Sequence, residues 1–380
     1  MEKYKLNDLI ELKKGKKPNR FCLSTNQNAM SYVDIKAFEK GFVEKFTDDE
    51  KCVKCENGDL LIVCDGSRSG LVGRAIPGYV GSTLAIIGID ERLECDYLFY
   101  FLQSKYRTLN KSVKGTGTPH LNPTLLKSFE ISVPTIEEQK RIVARIEKLF
   151  SNLDSAVETL QKTKQQLEVY RQAVLREAFE KTKGYNKNTI NNICSNIVDC
   201  PHSTPKWVSQ GELCLRTTNF KRGYLDLSEK NYVSKDTFNS RNTRLVPMPG
   251  DVLYSREGAI LGIACIIPEQ TYVCLGQRMM LLRTNSLMNN RFLMYYLNSP
   301  IITDYVQTIT GGSASPHVNV KDIKNISIPV PDIKTQKEIV LFIEQKFSIC
   351  DKLSSYIEVS LQQAEAMRQS ILKQAFEGGI

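Results

Sequence analysis

Chemistry on nucleic acids leaves recognisable residue sets, and this chain carries fragments of several. Pro331-Asp332 followed by Glu344-Gln345-Lys346 formally spells the Pro-Asp…Glu-x-Lys pattern of a nuclease, in which carboxylates hold a metal ion that activates water. Here those residues straddle the start of a helix-forming stretch rather than a β-hairpin, so the match reads as coincidence. An adenine methyltransferase needs Asn/Asp-Pro-Pro-Tyr/Phe and a glycine-rich cofactor loop, and the sequence has neither. Its three histidines have no nucleophile or ligand cluster beside them in sequence. Cys52-Val53-Lys54-Cys55 has zinc-like spacing, with Cys64 and Cys95 as possible further ligands. Lys114-Gly115-Thr116-Gly117-Thr118 and Thr310-Gly311-Gly312-Ser313 could cradle phosphate through backbone N–H groups. They lack the Gly-Lys-Ser/Thr ending of a nucleotide loop and equally suit a turn before a helix. The expectation is a chain with no catalytic residues, no cofactor and no metal; its rival is an enzyme that cuts DNA itself.

Binding chemistry is better represented. DNA affinity comes mainly from Lys and Arg against phosphates, whereas base edges are read by Arg, Asn, Gln, Ser and Thr. Such side chains cluster at Lys13, Lys14, Lys16, Lys17, Asn19 and Arg20, at Ser67, Arg68 and Ser69, and at Arg74 and Thr116. Later clusters are His202, Ser203, Thr204 and Lys206; Arg216, Thr218, Asn219, Lys221 and Arg222; and Arg241, Asn242 and Arg244. Ser255 with Arg256, Gln277 with Arg278, and Ser313 complete the set. All are candidate DNA contacts, although a solvated loop has the same composition. The net charge of +9 agrees with a polyanionic partner without demanding one.

These loops must be positioned by something, and the strongest signal is that the chain is written twice. Thr118-Pro119-His120-Leu121-Asn122 recurs 197 residues on as Ser315-Pro316-His317-Val318-Asn319. The same shift carries Ile131-Ser132-Val133-Pro134 onto Ile328-Pro329-Val330-Pro331, Gln139-Lys140 onto Gln336-Lys337, and Ala178-Phe179-Glu180 onto Ala375-Phe376-Glu377. With small gaps, Gly58-Asp59-Leu60-Leu61 meets Gly250-Asp251-Val252-Leu253. Cys52, Cys55 and Cys64 then align with Arg244, Pro247 and Arg256, which argues against zinc because the second half dispenses with all three.

Each half has a strand-rich part, 1–134 and 184–331, holding the prolines and short β-branched runs such as Asp59–Cys64 and Met279–Arg283. The rest, 135–183 and 332–377, has no Gly or Pro and is bracketed by Pro134 and Gly184, and by Pro331 and Gly378. Domain boundaries are therefore expected at 1–134, 135–183, 184–331 and 332–380. Apolar residues in the long stretches step by four and three: Ile142, Ile146, Leu149, Leu153, Leu160 and Leu167 in one, Ile339, Ile343, Leu353, Ile357 and Ile371 in the other. One helix cannot bury such a seam, so the two are expected to pair antiparallel, burying Ile146, Leu153, Leu160, Ile343, Leu353 and Ile357. The fold class is α+β: two strand-rich mixed domains and a pair of long antiparallel coiled-coil helices, with pseudo-twofold repetition. No run approaches the roughly 18 to 20 apolar residues of a membrane span, and Met1–Lys5 leads into no signal core. A cytoplasmic location with reduced cysteines is expected.

A strand-rich domain, then Pro-His-x-Asn, then Pro–x₄–Gln–Lys opening a long helix that ends in Ala-Phe-Glu, all repeated once, resembles the specificity subunit of type I restriction–modification systems. Asp199-Cys200-Pro201-His202-Ser203-Thr204-Pro205 also resembles the opening of such target-recognition domains; the first half departs from it with Lys13–Arg20. The resemblance implies a non-catalytic subunit that binds double-stranded DNA at a bipartite asymmetric site, one half per domain. It implies helices that fix the spacer and dock two methyltransferase (modification) subunits, with restriction/translocase subunits joining. A modification-only or type II-like methyltransferase complex would use the same chain.

Overall fold

The computed structural model describes residues 2–22, 29–112, 119–311 and 316–377. Two compact units emerge, Met1–Leu160 with Val359–Ile380, and Gln161–Glu358. Eight strands organise them: β1 (Ile10–Lys14), β2 (Leu60–Val63), β3 (Val72–Arg74), β4 (Leu84–Ile89), β5 (Cys194–Asp199), β6 (Val252–Ser255), β7 (Ala264–Ile266) and β8 (Met279–Thr284). So do four helices, α1 (Cys95–Lys111), α2 (Ile136–Glu180), α3 (Asn290–Leu297) and α4 (Ile333–Glu377).

In the first unit an antiparallel sheet runs in the order β1-β4-β2-β3. Leu60, Leu61, Ile62 and Val63 alternate across it, as side chains on a strand must. Leu60 and Ile62 enter one core with Tyr97, Leu98, Phe101 and Leu102 of α1; Leu61 and Val63 enter another with Val33, Ala37 and Val80. That is why a run of four apolar residues carries no polar alternation: both faces are covered. The second face bears a small mixed sheet in which Met30–Val33 pairs parallel with Gly78–Val80.

The second unit repeats this plan. Its sheet has the order β5-β8-β6-β7, with Val252 and Tyr254 facing one core and Leu253 the other. A small mixed sheet again contains a parallel pair, Glu212–Leu215 with Cys274–Leu275.

Freedom from Gly and Pro allows α2 and α4 to run unbroken for 45 residues each. In the first unit Ile142, Ile146 and Phe150 of α2 share a core with Leu372 and Ala375 of α4, while Phe376 sets its ring edge-on to Tyr97 and Phe101. In the second, Phe179 of α2 packs edge-on against Phe292 and Tyr296 of α3. Each Ala-Phe-Glu motif thus docks the end of a long helix onto a domain helix. Within the second unit Lys164 pairs with Glu358 and Arg171 with Asp351, so α2 and α4 run antiparallel there; Asp154 pairs with Arg368 in the first.

The seam differs from expectation at two positions. Ile142, Ile146, Leu167, Ile339, Ile343 and Ile357 are buried, and Leu153, Leu160 and Ile371 half-buried, but Leu149 is 37% and Leu353 44% exposed. Phe150 takes the inner position beside Leu149, its ring under the Arg368 guanidinium at 4.3 Å. Cys350 and Ile357 are the buried residues that flank Leu353 along α4. The aromatic–cation stack outweighs strict apolar spacing. No helix among the described residues is long and apolar enough to cross a membrane.

Candidate nucleic-acid interface

The second unit gathers four of its polar clusters around the end of β5. Asp199, the last residue of that strand, accepts hydrogen bonds from Arg256 Nε at 2.8 Å and Nη2 at 3.1 Å. Arg256 Nη1 also pairs with Glu257 at 2.8 Å, and His202 Nε2 lies 3.1 Å from the Asp199 carboxylate. Gln277 Nε2 donates to the His202 carbonyl at 2.6 Å, and Thr204 Oγ1 donates to Gln277 Oε1 at 3.2 Å. Arg241 donates to the carbonyls of Leu275, Gly276 and Ser203 at 2.7, 2.8 and 3.2 Å, tying the loop before Trp207 to the turn before β8. The Pro-His motif closes the arrangement: Gly258 N donates to Pro316 O, and Val318 N to Arg256 O.

Several expected contacts are therefore framework, because their polar atoms face inward. Arg241, Asn242, Ser255, Arg256 and Asn219 are buried; Asn219 Nδ2 bonds the carbonyls of Asp226 and Glu229. Lys206, Ser203, Thr204, Arg216, Thr218, Arg244 and Arg278 are exposed. Arg278 holds a left-handed backbone at φ 67°, unusual for a side-chain-bearing residue, and its guanidinium lies over Gly258. Arg216 sits 5.7 Å from the Trp207 ring. Lys221 and Arg222 belong elsewhere: Arg222 Nη1 reaches the Asn298 carbonyl and lines a groove with Arg171, Tyr295 and Phe347.

The first unit ends the strand equivalent to β5 with the opposite charge. Lys14 closes β1, and its Nζ pairs with Asp65 at 2.8 Å; His120 Nδ1 is 2.7 Å from the same carboxylate. Burial opposes ionisation of Asp65, but the hydrogen bonds from Lys14 and His120 outweigh it and hold its pKa below the ordinary value. Lys13, on β1 itself, and Lys16 and Lys17, on the loop that follows, are exposed and make no ion pair among the described residues. Gly15 must lack a side chain, since a Cβ would stand 2.3 Å from the carbonyl oxygens of Val80 and Gly81. Asn19 N donates to Asp49, Arg20 pairs with Asp48, and Arg68 with Glu39. The Ser67 carbonyl accepts from Asn110, whereas Ser69 is buried against Gly66 O. Arg74 turns away to Asp96 and the Phe99 ring. Thr116 and Ser313 lie outside the described residues.

The Cys52 and Cys55 thiols do not converge. Cys52 Sγ approaches Lys16 O at 3.7 Å, Cys55 Sγ the carbonyls of Ile76 and Gly78 at 3.4 Å, and burial pushes the Cys55 thiol up to about 11. Sequence reasoning missed the organising carboxylates Asp65 and Asp199, since an acidic residue is not sought among candidate contacts to a polyanion. It also left the repeated Gln139 and Gln336 without a role.

Comparison with known proteins agrees with this arrangement. Residues 1–169 and 206–363 match the family described as the type I restriction modification DNA specificity domain. The MjaVIII specificity subunit of a type I restriction enzyme from Methanocaldococcus jannaschii is 24% identical, over 100% of this chain and 92% of that protein. The EcoBI specificity subunit of Escherichia coli is also 24% identical, over 84% and 73%. Among solved structures, a chain of a type I R-M system described for its complex assembly and conformational transition is 21% identical with a TM-score of 0.73, covering 100% and 98%. The HsdS subunit from Thermoanaerobacter tengcongensis, at 20% identity, gives 0.50 over 100% and 97%. A loop framework built twice and a family match over most of the chain lead to one conclusion: the protein belongs to the type I restriction modification DNA specificity family, as a non-catalytic subunit that recognises DNA sequence.

Proposed function

We propose that the domains 1–134 and 184–331 each read one half of a bipartite, asymmetric DNA site in the cytoplasm, and that the helical segments 135–183 and 332–380 set the gap and dock two methyltransferase subunits. The observation that carries this reading is one strand end kept while its charge changes sign: Lys14 pairs with Asp65, whereas its counterpart Asp199 pairs with Arg256, the residue before Asp65's counterpart Glu257. One scaffold is kept, while the groups presented on it differ: Lys13, Lys16 and Lys17 on one copy, Lys206, Arg244 and Arg278 on the other. Identical copies would suit a palindrome; divergent loops on one framework suit two unlike half-sites. Exposed lysines supply phosphate contacts, and Arg278 with Gln277 supplies base-edge donors and acceptors. The remaining candidate contacts are Lys14, Asn19, Arg20, Ser67 and Arg68 on the first domain, and His202, Ser203, Thr204, Arg216, Thr218, Lys221 and Arg222 on the second.

The test is to reconstitute the chain with its modification subunits and map methylated adenines across a genome. A two-part motif of unlike halves is expected. Exchanging residues 184–331 for those of a relative should replace one half of the motif and leave the other and the gap intact. Replacement of both halves at once would overturn the division.

A further inference from the structure

Two glutamines occupy the same place in each half and are wholly buried, at 0% exposure. Gln139 lies in the first turn of α2, three residues beyond Ile136; its Nε2 donates to the carbonyls of Arg92 at 2.8 Å and Pro134 at 2.9 Å. Its Oε1 accepts from Glu94 N at 2.8 Å, and Glu94 is the residue that caps α1. Gln336 in α4 repeats every bond: Nε2 donates to Leu287 O at 2.9 Å and Pro331 O at 2.8 Å, and Oε1 accepts from Asn289 N at 2.7 Å, where Asn289 caps α3. The side chains around them differ between halves, since Arg92 answers to Leu287 and Glu94 to Asn289. What is kept is a side-chain amide joining the root of a long helix to the cap of a domain helix.

We propose that Gln139 and Gln336 are positioning residues that fix the angle at which each long helix leaves its domain, and thereby the length of DNA gap the protein accepts. This rests on the reading that α2 and α4 are the ruler. A 45-residue helix is roughly 67 Å long, so a tilt of about 3° at its root displaces its far end by one base-pair rise of about 3.4 Å. Apolar packing alone tolerates such tilts, because it is non-directional. Three directed hydrogen bonds in a buried site resist them, since tilting stretches and bends bonds that no water can replace. A polar side chain is therefore suited to this place where a leucine of similar volume would fill it.

The experiment uses the complete complex with its modification subunits. Once the motif is mapped, both half-sites are kept and the gap between them is varied one base pair at a time. Gln139→Met and Gln336→Met, singly and together, are expected to keep both half-site sequences. Discrimination between the preferred gap and gaps one base pair shorter or longer should fall by roughly tenfold, a loss of about 1.4 kcal/mol. A merely structural glutamine would lower methylation by one factor at every gap, and that result overturns the proposal. Should the variants fail to fold, hydrogen exchange on the native complex decides: the Glu94 and Asn289 amides are expected to exchange as slowly as the β2 core, and exchange at loop rates overturns the lock. A separate arm inserts seven residues into both helices at matched positions. An unchanged gap there refutes the ruler reading itself, independently of the glutamines.

Discussion

Arg256→Ala removes a guanidinium whose side chain is 7% exposed and which meets Asp199 through two hydrogen bonds and Glu257 through a third contact. Asp199 itself is only 17% exposed, so truncation leaves a carboxylate largely cut off from water. Breaking a buried pair from one side costs about 3 to 5 kcal/mol. Asp199 keeps some solvent and a neighbouring His202 nitrogen at 3.1 Å, which places the expectation near the lower limit, about 3 kcal/mol. For a unit of this size that is a drop in melting temperature of roughly 6 to 12 °C. Thermal unfolding of the purified chain measures it. Replacing both partners, as Asp199→Asn with Arg256→Met, should recover much of the loss, because the Asp199 carboxylate is then no longer stranded and only the more exposed Glu257 lacks its partner. The sequence alone suggests that Arg256 touches DNA; the structure makes it the post on which the loop after β5 hangs. A variant that melts within about a degree of the wild type, yet changes methylation at a single half-site, would refute the reasoning.

Arg278→Ala, at an exposed side chain, should leave stability nearly unchanged while relaxing recognition of one half-site by about 1 to 3 kcal/mol; methylation mapping reads both the half affected and the size. Arg278→Gly should share that defect but melt higher than Arg278→Ala, because φ 67° strains any residue with a Cβ. Lys17→Ala should weaken binding to all sequences alike and reduce the slope of log affinity against log salt by about 1, measured by titrating duplex DNA at several salt concentrations. Asp65 titrates below its ordinary value in the fold, so its contribution to stability is complete above the unfolded value of about 3.9 and disappears as pH falls through the lower folded pKa. The melting difference between wild type and Asp65→Asn should accordingly shrink on acidification from pH ~5 to pH ~3, and a difference that grows instead would contradict the ion pairs with Lys14 and His120.

The 197-residue repeat, the Gly- and Pro-free stretches and the alternating apolar steps determined by themselves that the protein has two strand-rich parts and two long helices. Those features are periodic and local, and local patterns survive without knowledge of neighbours. Sequence likewise identified the loops that converge at the end of β5, since clusters of Arg, Asn, Ser and Gln are visible as composition. Which of their members face outward was a tertiary decision. Arg241 and Arg244 stand three apart with the same chemistry, yet one is fixed on the carbonyls of Leu275 and Gly276 and the other is exposed. The same holds on α2, where Phe150 displaces Leu149 because Arg368 arrives from α4 to stack on it. Gln139 and Gln336 show the limit most plainly. A glutamine in the first turn of a helix reads as a surface residue, and only the convergence of a loop carbonyl, a proline carbonyl and a helix cap from distant parts of the chain turns it into a buried joint.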